Sequence, residues 1–278
     1  MTSNPHASPI ELSVVAPAHN EQENAAELVR QVEAALGPLG IAWEFVIVDD
    51  GSTDQTRSIV QELMATRPFL RCVAMTMTPK GKGNGQSAAF HAGFRAAQGR
   101  LIAVLDADLQ NDPADLPMML DTMRTTGADL VQGDRSHARK DNIVRRYGSI
   151  VGRAFRRMIL GDTVRDTGCS LRVMKREFAL GLPLEFRGMH RFIPVGIAHL
   201  GGKVVEVPVH HRPRLAGETK YGMGITKRAL PGLIDCFAVR YMRNRRRPTT
   251  SIEIGAARAP EVDPTQVVVT RQAQEASR

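Results

Sequence analysis

The segment Leu101 to Gln110 is an apolar run that ends in two carboxylates one residue apart, Asp106 and Asp108. Hard divalent cations take oxygen ligands, and a loop leaving a buried strand keeps coordination positions open for phosphate oxygens. The pair therefore reads as a site for a metal ion and a diphosphate. Two further acidic groups follow apolar runs. Glu21 comes after Glu11 to Ala16 and the link Pro17-Ala18-His19-Asn20, and Asp49-Asp50 comes after Trp43 to Val48. Alone, Asp50-Gly51-Ser52 would be a turn and Asp49 a cap. In a parallel sheet, however, these strand ends face one cleft, and the carboxylates converge there.

The elements that must position these groups alternate in type. Asn20 is the expected N-cap of a helix through Leu28, Val32 and Leu36, with Glu21 and Glu23 at its positive end and Gly37-Pro38 stopping it. A helix at Thr56 to Met64 and a strand at Leu70 to Met75 follow. The loop Lys80 to Gly85 then leads to a helix at Gln86 to Gln98, the strand Leu101 to Leu105, a helix at Leu116 to Thr125 and a strand at Leu130 to Gln132. This alternation calls for an α/β fold, a mostly parallel sheet with helices on both faces. The second half is less regular. A basic amphipathic helix at Arg139 to Leu160 precedes a short run at Leu171 to Met174, a helix near Arg176 to Leu180, the segment Phe192 to Leu200 and a strand at Val204 to Val209. The expected organisation is an extension over residues 1–10, one domain over 11–226, a basic amphipathic helix over 227–247 and a disordered tail over 248–278.

The 278 residues, 42% hydrophobic and 24% charged, suit one large domain with a tail. Three well-separated cysteines, Cys72, Cys169 and Cys236, predict a reduced protein without structural zinc. Met1 to Pro9 lacks a secretory pattern, and no apolar run is long enough to span a bilayer, so the chain is expected to work in the cytoplasm. A net charge of +8 calls for an acidic partner, while 5% aromatic content and the absence of helix-turn-helix or zinc-finger spacing argue against nucleic acid. Lys80-Gly81-Lys82-Gly83-Asn84-Gly85 lacks the spacing of a nucleotide-hydrolase loop and reads as a flexible connection, with Lys80 and Lys82 as candidate phosphate contacts. His190-Arg191 and His210-His211 lack metal-ligand spacing on a helix and read as hydrogen-bonded or surface groups.

Val14 to Glu21, Val46 to Asp54 and Leu105 to Gln110 together resemble glycosyltransferase family 2 in order and spacing. The resemblance covers roughly Leu12 to Arg243 and implies the GT-A fold, a Rossmann-like sandwich. It also implies that Pro17, Glu21 and Asp49, with Asp50 beside them, bind the donor nucleoside, while Asp106 and Asp108 handle the metal and diphosphate. Asp166 to Arg172 and Val207 to Gly222 are similar to the polyprenyl-phosphate branch, the dolichol-phosphate mannosyltransferases and bacterial undecaprenyl-phosphate sugar transferases. Gly168-Cys169-Ser170 departs from the Thr-Ser-Gly more usual in that branch.

By that resemblance Gln110 is a third ligand of Mg2+ or Mn2+. The donor is a nucleoside diphosphate-sugar, and a polyprenyl phosphate is the acceptor. A lipid phosphate is already anionic and needs cations rather than a base, and Arg135, Arg146, Arg212, Arg214 and Lys220 sit where the branch would put them. Arg212 and Asp166 join the metal pair as expected catalytic residues. The alternatives are a hydroxyl acceptor with Asp166 as general base, and a non-catalytic basic binding protein. The segments Arg139 to Leu160 and Lys227 to Arg247 are expected to lie peripherally on the cytoplasmic face of a membrane, and a separate membrane-anchoring protein stays an option.

Overall fold

A computed structural model describes residues 9–79, 81–136, 143–212 and 225–247, with the backbone alone for 143–150 and 225–230. The expected extension over 1–10 lies mostly, and the tail over 248–278 wholly, outside the described residues, as do Arg214 and Lys220.

Seven strands form one sheet: β1 (Leu12–Ala18), β2 (Trp43–Asp49), β3 (Leu70–Ala74), β4 (Leu101–Val104), β5 (Leu130–Asp134), β6 (Arg172–Lys175) and β7 (Val204–Pro208), in the order β3-β2-β1-β4-β6-β5-β7. All neighbours pair in parallel except β6, which runs antiparallel to both β4 and β5. The central strands β1, β2 and β4 are buried almost throughout, as a sheet covered on both faces requires.

Alternate strand residues feed two cores. One face carries Val14, Ala16, Phe45, Ile47 and Ala103 against α1 (Ala25–Leu36), α2 (Thr56–Met64) and α4 (Leu116–Thr126). The other carries Val15, Val46, Val48, Ile102 and Val104 against α3 (Gln86–Ala96), α6 (Arg176–Leu180) and α7 (Ile193–His199). Leu160 of α5 (Ile143–Leu160) and Cys236 of α8 (Ile225–Arg245) complete this second core.

One expectation is corrected. Asn20 is not a helix cap: β1 continues through Pro17 and Ala18, and α1 starts only after Asn24. Asn20 instead takes a left-handed φ of 55° and stitches β1 to the turn after β2, accepting from Thr53 N at 2.8 Å and donating its own N–H to Ser52 Oγ at 3.0 Å. Glu21 N donates to Thr56 Oγ1 at 2.8 Å, which keeps this stretch out of the helix. The sheet is mostly parallel as expected, and β6, after Asp166, is the strand that runs against its neighbours. Because β6 is antiparallel to β4, its start lies at the carboxyl end of β4, beside Asp106.

Gly93 lets α3 lie close to the sheet, since a Cβ there would stand 2.5 Å from Val15 Cγ1 and 2.8 Å from Val48 Cγ2. Gly93→Val should therefore lower stability by about 1 to 3 kcal/mol, the usual cost of overpacking, read from the midpoint of urea unfolding.

Candidate functional site

A cleft of about 510 Å3 opens at the carboxyl ends of β1, β2 and β4, where an open α/β sheet presents its ligand crevice. Pro17 to Glu21 form one wall, Asp50 and the Gly81 to Gln86 stretch another, and Asp106 to Asp108 lie between them. The cleft thus unites Pro17, Glu21, Asp50, Asp106 and Asp108, as the strand-end argument expects. Asp49, Gln110, Arg135, Asp166 and Arg212 are not among the lining residues.

The acidic pair after β2 is structural in a way the sequence does not announce. Asp49 is buried, with its carboxylate accepting from Arg57 Nε at 2.6 Å and Ser52 N at 2.9 Å. Asp50 accepts from Asn84 N at 2.8 Å and Gly85 N at 2.7 Å, one bond per oxygen. It therefore pins the glycine-rich loop to the cleft wall. Gly83 has a φ of 62°, and a Cβ there would stand 2.5 Å from Asp50 Oδ2, so the close approach needs glycine. A flexible connection is not what results: the loop is anchored, with Lys82 lining the cleft. Lys80 lies outside the described residues.

Asp106 is held from two sides. Gln86 Nε2 donates to its Oδ1 at 2.6 Å, and Ser170 Oγ to its Oδ2 at 2.5 Å. Asn111 Oδ1 accepts from Asp106 N at 3.1 Å and stands 2.8 Å from Ser170 Oγ. Burial, reinforced by the Asp108 charge, pushes the Asp106 carboxyl up to about 6, against the pull of the Ser170 hydrogen bond, Arg135 and Arg172. Asp108 Oδ1 accepts from Gln110 N at 3.2 Å, and Leu109 between them adopts a left-handed φ of 60°, a costly conformation outside glycine.

A divalent cation fits this donor set. Two carboxylates are forced close in a partly desolvated cleft, and both offer hard oxygen. Among the described residues no group of three His, Cys, Asp or Glu side chains could hold a metal alone, so further ligands must come from elsewhere, as with a cation shared with a diphosphate. Gln110 is anchored by its backbone, its carbonyl accepting from Arg212 N at 2.9 Å.

Two of the expected acceptor residues, Arg135 and Arg212, are found already paired. Arg135 is buried and grips Asp166, with Nε at 2.8 Å from Oδ2 and Nη2 at 3.2 Å from Oδ1, while Gly168 N adds a bond at 3.1 Å. Arg212 donates to Asp112 and, at 2.9 Å, to Gln31 Oε1 of α1. Arg146 falls in α5, where only the backbone is described.

His190 and His210 behave as hydrogen-bonded groups. His210 Nδ1 lies 2.7 Å from Asp115 Oδ1, which raises its pKa. His190 is pushed down to about 3 by burial, with Arg191 and Arg172 adding to the effect, so it is neutral. Its Nδ1 lies 2.8 Å from Ser87 Oγ, within hydrogen-bond distance. Sequence reasoning passed over Gln86, Ser87, Asn111 and the buried Arg172. Only Ser170 and Arg172 carried a signal, as members of the flagged Asp166 to Arg172 segment.

The family model described as Glycosyl transferase family 2 matches residues 13–180. Dodecaprenyl-phosphate galacturonate synthase of Rhizobium johnstonii is 34% identical over 243 residues, covering 86% of this chain and 69% of that protein. Undecaprenyl-phosphate 4-deoxy-4-formamido-L-arabinose transferase of Edwardsiella ictaluri is 34% identical over 232 residues, covering 84% and 69%. Among solved structures, a Pyrobaculum calidifontis mannosyltransferase in complex with GDP-Man and Mn2+ superposes with a TM-score of 0.58 at 20% identity, over 87% of this chain and 68% of that one. Glucosyl-3-phosphoglycerate synthase of Mycobacterium tuberculosis, with Mn2+, UDP and phosphoglyceric acid, superposes with a TM-score of 0.59 at 20% identity, over 83% and 78%. These likenesses establish the GT-A fold. With sequence match and fold in agreement, the chain belongs to glycosyltransferase family 2 and is a glycosyltransferase.

Proposed function

We propose that the protein transfers a sugar, with inversion, from a nucleoside diphosphate-sugar to a polyprenyl phosphate, using Mg2+ or Mn2+. The observation that carries the acceptor side is the state of Asp166, whose two carboxylate oxygens are occupied by Arg135 and Gly168 N. A general base must reach the proton it abstracts, and a carboxylate clamped by a guanidinium is poorly suited to that task. A lipid phosphate needs no base. The two relatives named above act, by their names, on prenyl phosphates, which supports the same acceptor.

On this reading Asp106 and Asp108 would hold the cation, with Gln110 as the further ligand that family resemblance suggests. Bound there, the metal supplies charge neutralisation for the departing diphosphate. Pro17 and Glu21 bind the nucleoside, and Asp49 and Asp50 fix the walls around it. Lys82 adds a cation on the loop side of the cleft. The acceptor phosphate attacks the anomeric carbon from the opposite side, held by Arg212 with Arg135, Arg146, Arg214 and Lys220. For Arg212 this means exchanging the Asp112 carboxylate for phosphate, one anion for another.

A membrane surface is the natural source of such an acceptor. No helix among the described residues is long and apolar enough to cross a membrane. α5 and α8 pack together through Phe155 and Phe237, at 5.8 Å between ring centroids, and leave Val151, Met158, Ile234, Phe237 and Tyr241 exposed. Arg153, Arg157, Arg240, Arg243 and Arg245 to Arg247 accompany them. Exposed apolar groups interleaved with arginines suit peripheral binding to an anionic leaflet.

Three outcomes are expected. Asp108→Ala should lose at least about 100-fold in transfer of sugar from a panel of nucleotide-sugars to polyprenyl phosphate, and chelation should abolish wild-type transfer; full activity in either case removes the metal assignment. Arg212→Ala should raise the KM for polyprenyl phosphate about tenfold or more, whereas Asp166→Asn, if folded, should keep measurable turnover; the reverse ranking favours a hydroxyl acceptor. Co-sedimentation with vesicles containing anionic lipid should weaken with added salt and with Ile234→Asp plus Phe237→Asp, and binding that ignores both contradicts the peripheral reading.

A further inference from the structure

Arg172 is among the most deeply buried charges in the molecule, 3% exposed on β6 in register with Val104 of β4 and Gln132 of β5. A buried guanidinium costs several kcal/mol unless it is compensated, and it is normally met by a carboxylate. Here its hydrogen-bond partners are two backbone carbonyls. Nη1 donates to His190 O at 3.2 Å and Nη2 to Cys169 O, while Nε is buried without a hydrogen-bond partner. Packing alone would be served more cheaply by an apolar side chain.

Both carbonyls belong to arms that end on Asp106. Cys169 precedes Ser170, whose hydroxyl donates to Asp106 Oδ2 at 2.5 Å. His190 binds Ser87 through both Nδ1 and its own N–H, at 2.8 and 3.1 Å, and Ser87 follows Gln86, which donates to Asp106 Oδ1 at 2.6 Å. One guanidinium thus clasps the two segments that grip the two oxygens of one carboxylate.

We infer that Arg172 is a positioning residue that orients the Asp106 carboxylate through these two arms and so sets the affinity of the cleft for a divalent cation. The inference rests on Asp106 and Asp108 being the cation ligands. Outer groups that orient a ligand are typically worth about 10- to 100-fold in metal affinity.

The sign of the effect separates positioning from simple charge. Removing a nearby cation by field alone would tighten metal binding. Loss of the clasp loosens it. Mn2+ titration of the metal-free protein by calorimetry, with a panel of nucleoside diphosphates each present in turn to supply the missing ligands, is expected to give a Kd about tenfold or more higher for Arg172→Lys, which keeps the charge but not the fork, and for Arg172→Met. Ser170→Ala and Ser87→Ala, which each loosen one arm, should each raise the Kd several-fold, and they decide the matter if the Arg172 variants do not fold. Adding Arg172→Lys to Ser170→Ala with Gln86→Ala should cost little more than that pair alone, because the arms are already cut. An unchanged or lower Kd in folded Arg172 variants, an additive triple variant, or arm variants with wild-type Kd would each overturn the inference while leaving the donor site intact. Wild-type protein that binds no Mn2+ with any nucleoside diphosphate of the panel would overturn the cation site itself, and this inference with it.

Discussion

The Asp106 carboxylate, partly desolvated and next to a second acid, is the constraint around which the rest of the site is arranged. Two like charges that close resist ionisation together, and the fold answers with donors and distant cations rather than with a salt bridge at the carboxylate. Gln86 comes from the start of α3, Ser170 from the turn before β6, and Arg135 and Arg172 from flanking strands. Each donor sets a requirement on topology. α3 must begin at the cleft, which Asp50 secures by holding Asn84 and Gly85, and β6 must run against its neighbours so that the turn before it arrives at the end of β4. Were β6 parallel, Ser170 would lie at the opposite edge of the sheet.

The walls of the cleft obey the same economy. Asp49 and Asp50, adjacent in sequence, point their carboxylates at different structural tasks, one binding Arg57 and the other the glycine-rich loop. Asn20 joins the end of β1 to the turn after β2. Three strand ends are thereby cross-linked before any ligand arrives, which pre-organises the donor side.

Much of this frame is legible in the chain. Strand and helix identities up to β5 follow from local periodicity, and the acidic groups at strand ends mark the cleft because parallel topology makes them converge. What could not be read depends on partners far apart in sequence. Nothing near Asp50 announces that its oxygens are taken by Asn84 and Gly85, and nothing near Gln86 announces Asp106. Asn20 has the composition of a helix cap, yet tertiary bonds to Ser52 and Thr53 override that local preference. Arg172 reads as an ordinary charged residue in a short strand. Its burial follows from the place of β6 inside the sheet, between β4 and β5.

The pairing of Arg135 with Asp166 and of Arg212 with Asp112 bears on how an acceptor is chosen. A guanidinium taken out of water with no anion to bind would carry an uncompensated desolvation cost; one that holds a carboxylate recovers part of it. A phosphate can replace or join that carboxylate at little expense, because one anion is exchanged for another. A neutral hydroxyl cannot, since it would have to break a charge-assisted pair and return only a weaker hydrogen bond. If the proposed acceptor site is right, pre-paired arginines do more than wait for a ligand: they set a threshold that an anionic acceptor clears and a neutral one does not.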